Sequence, residues 1–128
     1  MLYLLDTHLL LWAAYEPDRL SLQARQLLDD SDNTLLFSAA SIWEVAIKAT
    51  LGREDFTADA NVLRRGLVEN GYRELPIAST HAAAVSGLPP LHRDPFDRIL
   101  VAQARVEGVT LLTSDHAVAA YGDPVQLG

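Results

Sequence analysis

Apolar positions along the chain form short unbroken runs, separated by longer stretches in which they recur every three or four residues. Leu2-Tyr-Leu-Leu5 is an unbroken run, the pattern of a strand covered on both faces of a parallel sheet. Thr7 to Ala14 reads as a helix stopped at Tyr15-Glu-Pro17, and Ser21 to Asp30 as a second with Leu22, Leu27 and Leu28 as its apolar positions. Thr34 to Phe37 predicts a second strand, and Ser38 is placed to cap a helix running to about Thr50, before Gly52. Thr57 to Asn70 predicts a helix closed by Gly71, followed by a short strand at Arg73 to Pro76 and a helix from Ser79 to Ser86. Beyond the turn-forming Gly87-Leu-Pro-Pro90, Asp94-Pro95 opens a helix to Glu107 that Gly108 stops. Val109 to Thr113 is the next strand, with a short helix after Ser114 and a weak strand near Val125.

Strands alternating with helices predict a three-layer α/β/α sandwich with a mostly parallel central sheet. Without repeats, linkers or low-complexity tracts, residues 1–128 read as one domain, large enough to bury a core with no staple. Ligands of such sheets bind beyond the carboxyl ends of the strands. Asp6 ends the first strand and Asp115 follows Thr110–Thr113, so parallel strands would put both acids on one edge.

Composition narrows the chemistry. With no cysteine, disulfides, thiolate metal sites and cysteine nucleophiles are excluded. No apolar run approaches the roughly 20 residues of a membrane span, and Met1–Asp6 lacks the basic start of a signal peptide, so a cytoplasmic protein is expected. The four histidines, His8, His81, His92 and His116, lack zinc-protease spacing, and no phosphate loop, dinucleotide fingerprint or serine elbow is present. The net charge of −7, from 17 acids against 10 basic side chains, opposes simple phosphate binding. Cation-binding carboxylates would soften that objection.

Each acid has two readings. Asp6 and Asp115 suit helix caps as well as a site. In the helix after Ser38, the residues Ser41, Glu44 and Lys48 share a narrow polar arc on an otherwise apolar cylinder. Either Glu44 and Lys48 form a solvated i,i+4 pair, or their strip lines a cleft. Asp94 before Pro95 is accounted for as a cap; Asp97 then falls at the third helical position, where it would complete a capping box or serve a site.

Four blocks in order carry a resemblance: Leu4-Leu-Asp6-Thr7-His-Leu-Leu-Leu-Trp12, Ser38-Ala-Ala-Ser-Ile-Trp43-Glu44-Val-Ala-Ile-Lys48, Leu91-His-Arg-Asp94-Pro-Phe-Asp97-Arg98-Ile-Leu-Val-Ala-Gln-Ala104 and Leu111-Leu-Thr113-Ser-Asp115. The chain resembles PIN-domain nucleases over nearly its whole length, and among them the VapC-like toxins of type II toxin–antitoxin pairs. The resemblance implies a ribonuclease using Mg2+ or Mn2+, with Asp6, Glu44, Asp97 and Asp115 as catalytic and metal-binding acids. Within it, Asp6 and Asp97 are the chief ligands, Asp115 binds directly or through water, and Glu44 orients or deprotonates the attacking water. Thr7 and Thr113 match small polar positions near the metal, and cleavage should leave a 5′-phosphate and a 3′-hydroxyl. A homodimer and a cognate antitoxin are implied as partners, with RNA as substrate. Lys48, Arg53, Arg93 and Arg98 are the basic side chains nearest the acids in sequence, hence candidates for phosphate contact or ordinary surface charge.

Two other classes compete. A phospho-accepting receiver domain would want an acceptor Asp after a central strand and a Lys after a late one, but Thr34–Phe37 leads to Ser38 and the sole Lys lies in a helix. A haloacid-dehalogenase-type phosphatase would want an acid two places after Asp6, where His8 stands. A catalytically silent module of PIN architecture would have no need of all four acids.

Overall fold

The computed structural model describes residues 1–52 and 58–128. Strands β1 (Leu2–Leu5), β2 (Thr34–Ser38), β3 (Arg73–Leu75), β4 (Thr110–Thr113) and β5 (Val125–Leu127) form one sheet in the order β3-β2-β1-β4-β5. Every pairing is parallel, as the unbroken apolar run of β1 requires. The helices are α1 (Thr7–Tyr15), α2 (Leu22–Asp29), α3 (Ala39–Thr50), α4 (Ala60–Glu69), α5 (Ser79–Ala84), α6 (Pro95–Glu107) and α7 (His116–Ala119).

Strand residues alternate between two cores. Tyr3 and Leu5 of β1 join Leu9 and Leu10 of α1, Val45 of α3 and Leu63 and Leu67 of α4 on one face. Leu4 joins Leu100, Val101 and Ala104 of α6 and Val118 of α7 on the other. This is the three-layer arrangement expected from the alternation of elements.

Local chemistry sets the boundaries. Ser21, Ser38, Asp59 and Asp94 cap α2, α3, α4 and α6 by accepting from backbone N–H groups two or three residues on. Gly108 closes α6 in the left-handed region, φ 69°, with its N–H returning to Ala104. Two short 3-10 turns, Pro17–Arg19 and Val85–Gly87, stand where the sequence predicted a stop and the end of a helix. The helix expected from Thr57 is seen from Ala60; Thr57 lies outside the described residues.

The topology also places the site. The connection from β1 leads to β2 on one side, whereas β4 leads to β5 on the other, so the chain reverses its winding between β1 and β4. In open sheets of this kind the crevice that takes ligands lies outside the carboxyl ends of the strands at such a reversal, here β1 and β4.

Two glycines test the backbone argument. A Cβ at Gly66, inside α4, would meet nothing within 4 Å, so Gly66→Ala should stabilise by roughly 0.5–1 kcal/mol. Gly108→Ala has equal room but a positive φ, and should destabilise by about 1 kcal/mol. Chemical denaturation of both variants should give shifts of opposite sign; shifts of the same sign would refute the conformational account.

Candidate active site

Asp6 leaves β1 at the crevice and does two things at once. Its Oδ1 accepts from the backbone N–H of Leu9 at 2.9 Å, capping α1, while its Oδ2 accepts from Thr113 Oγ1 at 2.5 Å across the β1–β4 pair. The side chain is buried, and burial raises its pKa despite those bonds and the nearby His8. Thr113 in turn accepts from the N–H of Asp115 at 3.0 Å. Asp115 itself is exposed and caps α7 through Ala117 N at 2.8 Å, so its link to Asp6 runs through Thr113.

The next residue reaches α3. Thr7 Oγ1 donates to Glu44 Oε1 at 2.7 Å and shares a hydrogen bond with Ser41 Oγ at 2.9 Å. Glu44 is only 2% exposed, and its Oε2 meets Lys48 Nζ at 2.6 Å. The i,i+4 pair suggested by the sequence does form, but inside the protein, with the Lys48 side chain 16% exposed. The polar arc of α3 thus lines the crevice, and part of its apolar arc, Trp43 and Ala46, faces solvent.

Asp97 enters from α6. Asp94 Oδ1 accepts from Phe96 N at 2.8 Å and from Asp97 N at 3.4 Å, the capping role expected of an Asp before Pro95. Asp97 turns instead to His92, whose Nε2 lies 2.7 Å from its Oδ2. Its carboxyl is pushed up to about 6, first by burial, against the lowering effect of His92 and with further repulsion from Asp94, Asp6 and Glu44. Asp6 and Glu44 are therefore near enough to Asp97 to act on its charge.

His92 was not singled out by its spacing. The Asp94-Pro95 turn folds the preceding segment back, so a residue five places before Asp97 becomes its partner. Among the described residues, His92, Asp94 and Asp97 form the one group whose ligand-type atoms all lie within 4.8 Å of one another. Arg98 holds this segment: its guanidinium donates to the carbonyls of Val85, Pro89 and His92 and to the hydroxyl of Tyr121. Arg93 is exposed, and Arg53 lies outside the described residues.

The donor set suits a hard divalent cation. The carboxylates are held by hydroxyls and backbone N–H groups, by Lys48 at Glu44 and by His92 at Asp97, and carboxylate oxygens have lone pairs beyond those these bonds use. A groove of about 770 Å³ at the opposite, amino edge of the sheet, lined by residues including Tyr15, Leu20, Leu63, Leu67 and Tyr72, holds none of these acids.

Comparison with known proteins agrees with this architecture. A sequence model of the PIN domain matches residues 3–124. Ribonuclease VapC22 of Mycobacterium tuberculosis is 32% identical over 122 residues, spanning 94% of this chain and 92% of that protein. Among solved structures, VapBC2 from Rickettsia felis bound to a DNA fragment from its promoter superposes with a TM-score of 0.69 at 16% identity, over 100% of this chain and 98% of that one. VapBC-1 from nontypeable Haemophilus influenzae gives 0.65 at 16% identity, covering 100% and 97%. No helix among the described residues is long and apolar enough to cross a membrane.

The raised carboxyls fix the sign of a pH effect. In the unfolded chain Asp97 releases its proton near its ordinary value of 3.8, whereas the fold retains it to about 6. The native state then binds the extra proton, so its contribution to stability is full below pH 4 and lost as pH rises through 6. In chelator, the wild type should lose about 2 kcal/mol from this group between pH 4 and 7. Asp97→Asn should show a correspondingly smaller loss by denaturant titration at the two pH values. An identical loss in the variant would refute the burial of an ionisable Asp97.

Proposed function

The chain belongs to the PIN domain family, and from that membership we propose that it is a metal-dependent endoribonuclease, the toxin of a type II toxin–antitoxin pair. The reading is supported by Asp6 at the end of β1, bonded to Thr113 of β4, by Glu44 bonded to the adjacent Thr7, and by the action of both acids on the carboxyl of Asp97. The likeness to Ribonuclease VapC22 supplies the substrate class, and the solved VapBC assemblies are the ground for a cognate antitoxin as partner.

Asp6 and Asp97 are the principal ligands for Mg2+ or Mn2+ in this proposal, with Asp115 reaching the ion directly or through water. The ion, when bound, supplies a water of lowered pKa and positive charge for the phosphoryl oxygens. The side chains divide the remaining work. Thr113 fixes the carboxylate plane of Asp6, and His92 fixes that of Asp97. Of the two duties considered for Glu44, orientation fits its surroundings, because both of its oxygens already hold partners, Thr7 and Lys48. Arg98, spent on four oxygens, positions the His92 segment rather than phosphate. Attack of water on phosphorus with departure of the 3′ oxygen yields a 5′-phosphate and a 3′-hydroxyl.

Labelled single-stranded RNA should be cut by the purified protein in Mg2+ or Mn2+ and left whole in chelator. Asp94→Asn should keep most of the rate, since Asn caps a helix about as well as Asp. Asp97→Asn should lose roughly a hundredfold or more, the scale of removing a positioned catalytic group. Equal, mild losses at the two positions would assign Asp97 to helix capping and remove it from the site.

A further inference from the structure

An exposed aromatic platform stands at the rim of the acid site. Trp43 precedes Glu44 on α3, and Phe96 precedes Asp97 on α6; the turn of α3 that buries Glu44 leaves Trp43 outward, while Phe96 and Asp97 are both part-buried. The two rings meet edge-on, with centroids 5.3 Å apart and an interplanar angle of 76°. Phe96 is half-buried and held by its backbone bond to Asp94, whereas Trp43 remains 57% exposed. Lys48 Nζ lies 5.8 Å from the centre of the Phe96 ring while it binds Glu44, which ties the platform directly to the site.

Charge argues for what this surface receives. The protein carries a net charge of −7, and of the described basic side chains beside the site, Lys48 is engaged by Glu44 and Arg98 by four oxygens, with Arg93 exposed on the loop next to His92. Phosphate neutralisation is therefore a poor source of affinity for a polyanion. Stacking of an unpaired nucleobase on an aromatic face needs no net positive charge and tolerates any sequence. A tryptophan braced by a second ring also loses little conformational freedom on binding.

We propose that Trp43, braced by Phe96, stacks an unpaired base of single-stranded RNA next to the phosphate presented to Asp6 and Asp97. The proposal rests on the ribonuclease reading for its substrate and adds the residue that grips it. Trp43 is thus a substrate-binding residue whose loss weakens binding while leaving the chemistry in place.

Two measurements separate the platform from the catalytic reading. In Mg2+, cleavage of a short single-stranded RNA by Trp43→Ala should show KM raised roughly tenfold or more, the scale of losing one stacked base, with kcat little changed. Trp43→Phe should recover most of the loss. An unchanged KM in Trp43→Ala, or a drop confined to kcat, would overturn the proposal. Binding is read independently in chelator, with Trp12→Phe so that emission reports Trp43 alone. Quenching by the same RNA is expected; absence of quenching overturns the platform whatever the cleavage result. Quenching without any cleavage by the wild type would keep the platform and refute the ribonuclease. Sedimentation of wild type and Trp43→Ala completes the test: an assembly that dissociates in the variant would assign Trp43 to contact with a second copy of the chain and overturn the proposal.

Discussion

The hydrogen bond from Thr113 to Asp6 is the constraint around which this site is built. Transferring a carboxylate from water into a protein interior is costly unless its oxygens are satisfied. Asp6 meets that requirement with one donor from each of two sources, the first turn of α1 and the hydroxyl at the end of β4. The first is local to Asp6, but the second exists only if β1 and β4 are neighbours in register, with Leu5 opposite Leu112. The carboxylate is thus held by hydrogen bonds that the fold itself supplies. The same Thr113 receives the N–H of Asp115, so one hydroxyl fixes the relation of both strand-end acids.

From this constraint the crowding follows. Thr7, next to Asp6 in sequence, directs its hydroxyl to Glu44, bringing α3 against the same crevice. Asp97 joins the group from the opposite layer, its carboxyl raised first by burial and further by the charges of Asp94, Asp6 and Glu44. Repulsion of this kind is destabilising in the isolated protein. In the proposed function a divalent cation supplies the missing positive charge, and an arrangement that costs stability without an ion is one suited to bind it.

Much of this was legible in the residues. The unbroken run of β1, the Ser38 and Asp94 caps and the Gly108 stop are local signals, and each element formed where its signal lay. Local signals also misled by a few residues where helices tighten into 3-10 turns, at Val85–Gly87, because the i,i+3 pattern does not distinguish the two. In the site, the arc shared by Ser41, Glu44 and Lys48 marked one face of α3 but not which way it pointed. Hydrophobicity alone would turn Trp43 inward and Glu44 toward water or a cleft; tertiary contacts with Thr7 decided the matter. His92 and Arg98 were illegible in their true roles for a different reason. Their partners are a folded-back loop and its carbonyls, which no helical or strand period encodes.

Capping and catalysis are commonly treated as rival explanations of an Asp at the start of a helix. Under the proposed function they are one explanation for Asp6, because the oxygen that caps α1 locks the orientation of the oxygen that faces Thr113. Asp94 and Asp97 show the alternative solution, in which the two duties are divided between neighbours. Asp94 takes the N–H groups of Phe96 and Asp97, and Asp97 is thereby released to face His92 and the other acids. Where a carboxylate must be both buried and available, the backbone N–H groups of a helix terminus are well suited to hold it. They are fixed dipoles that stabilise the charge without competing as counterions, and so they leave its remaining lone pairs open to a metal.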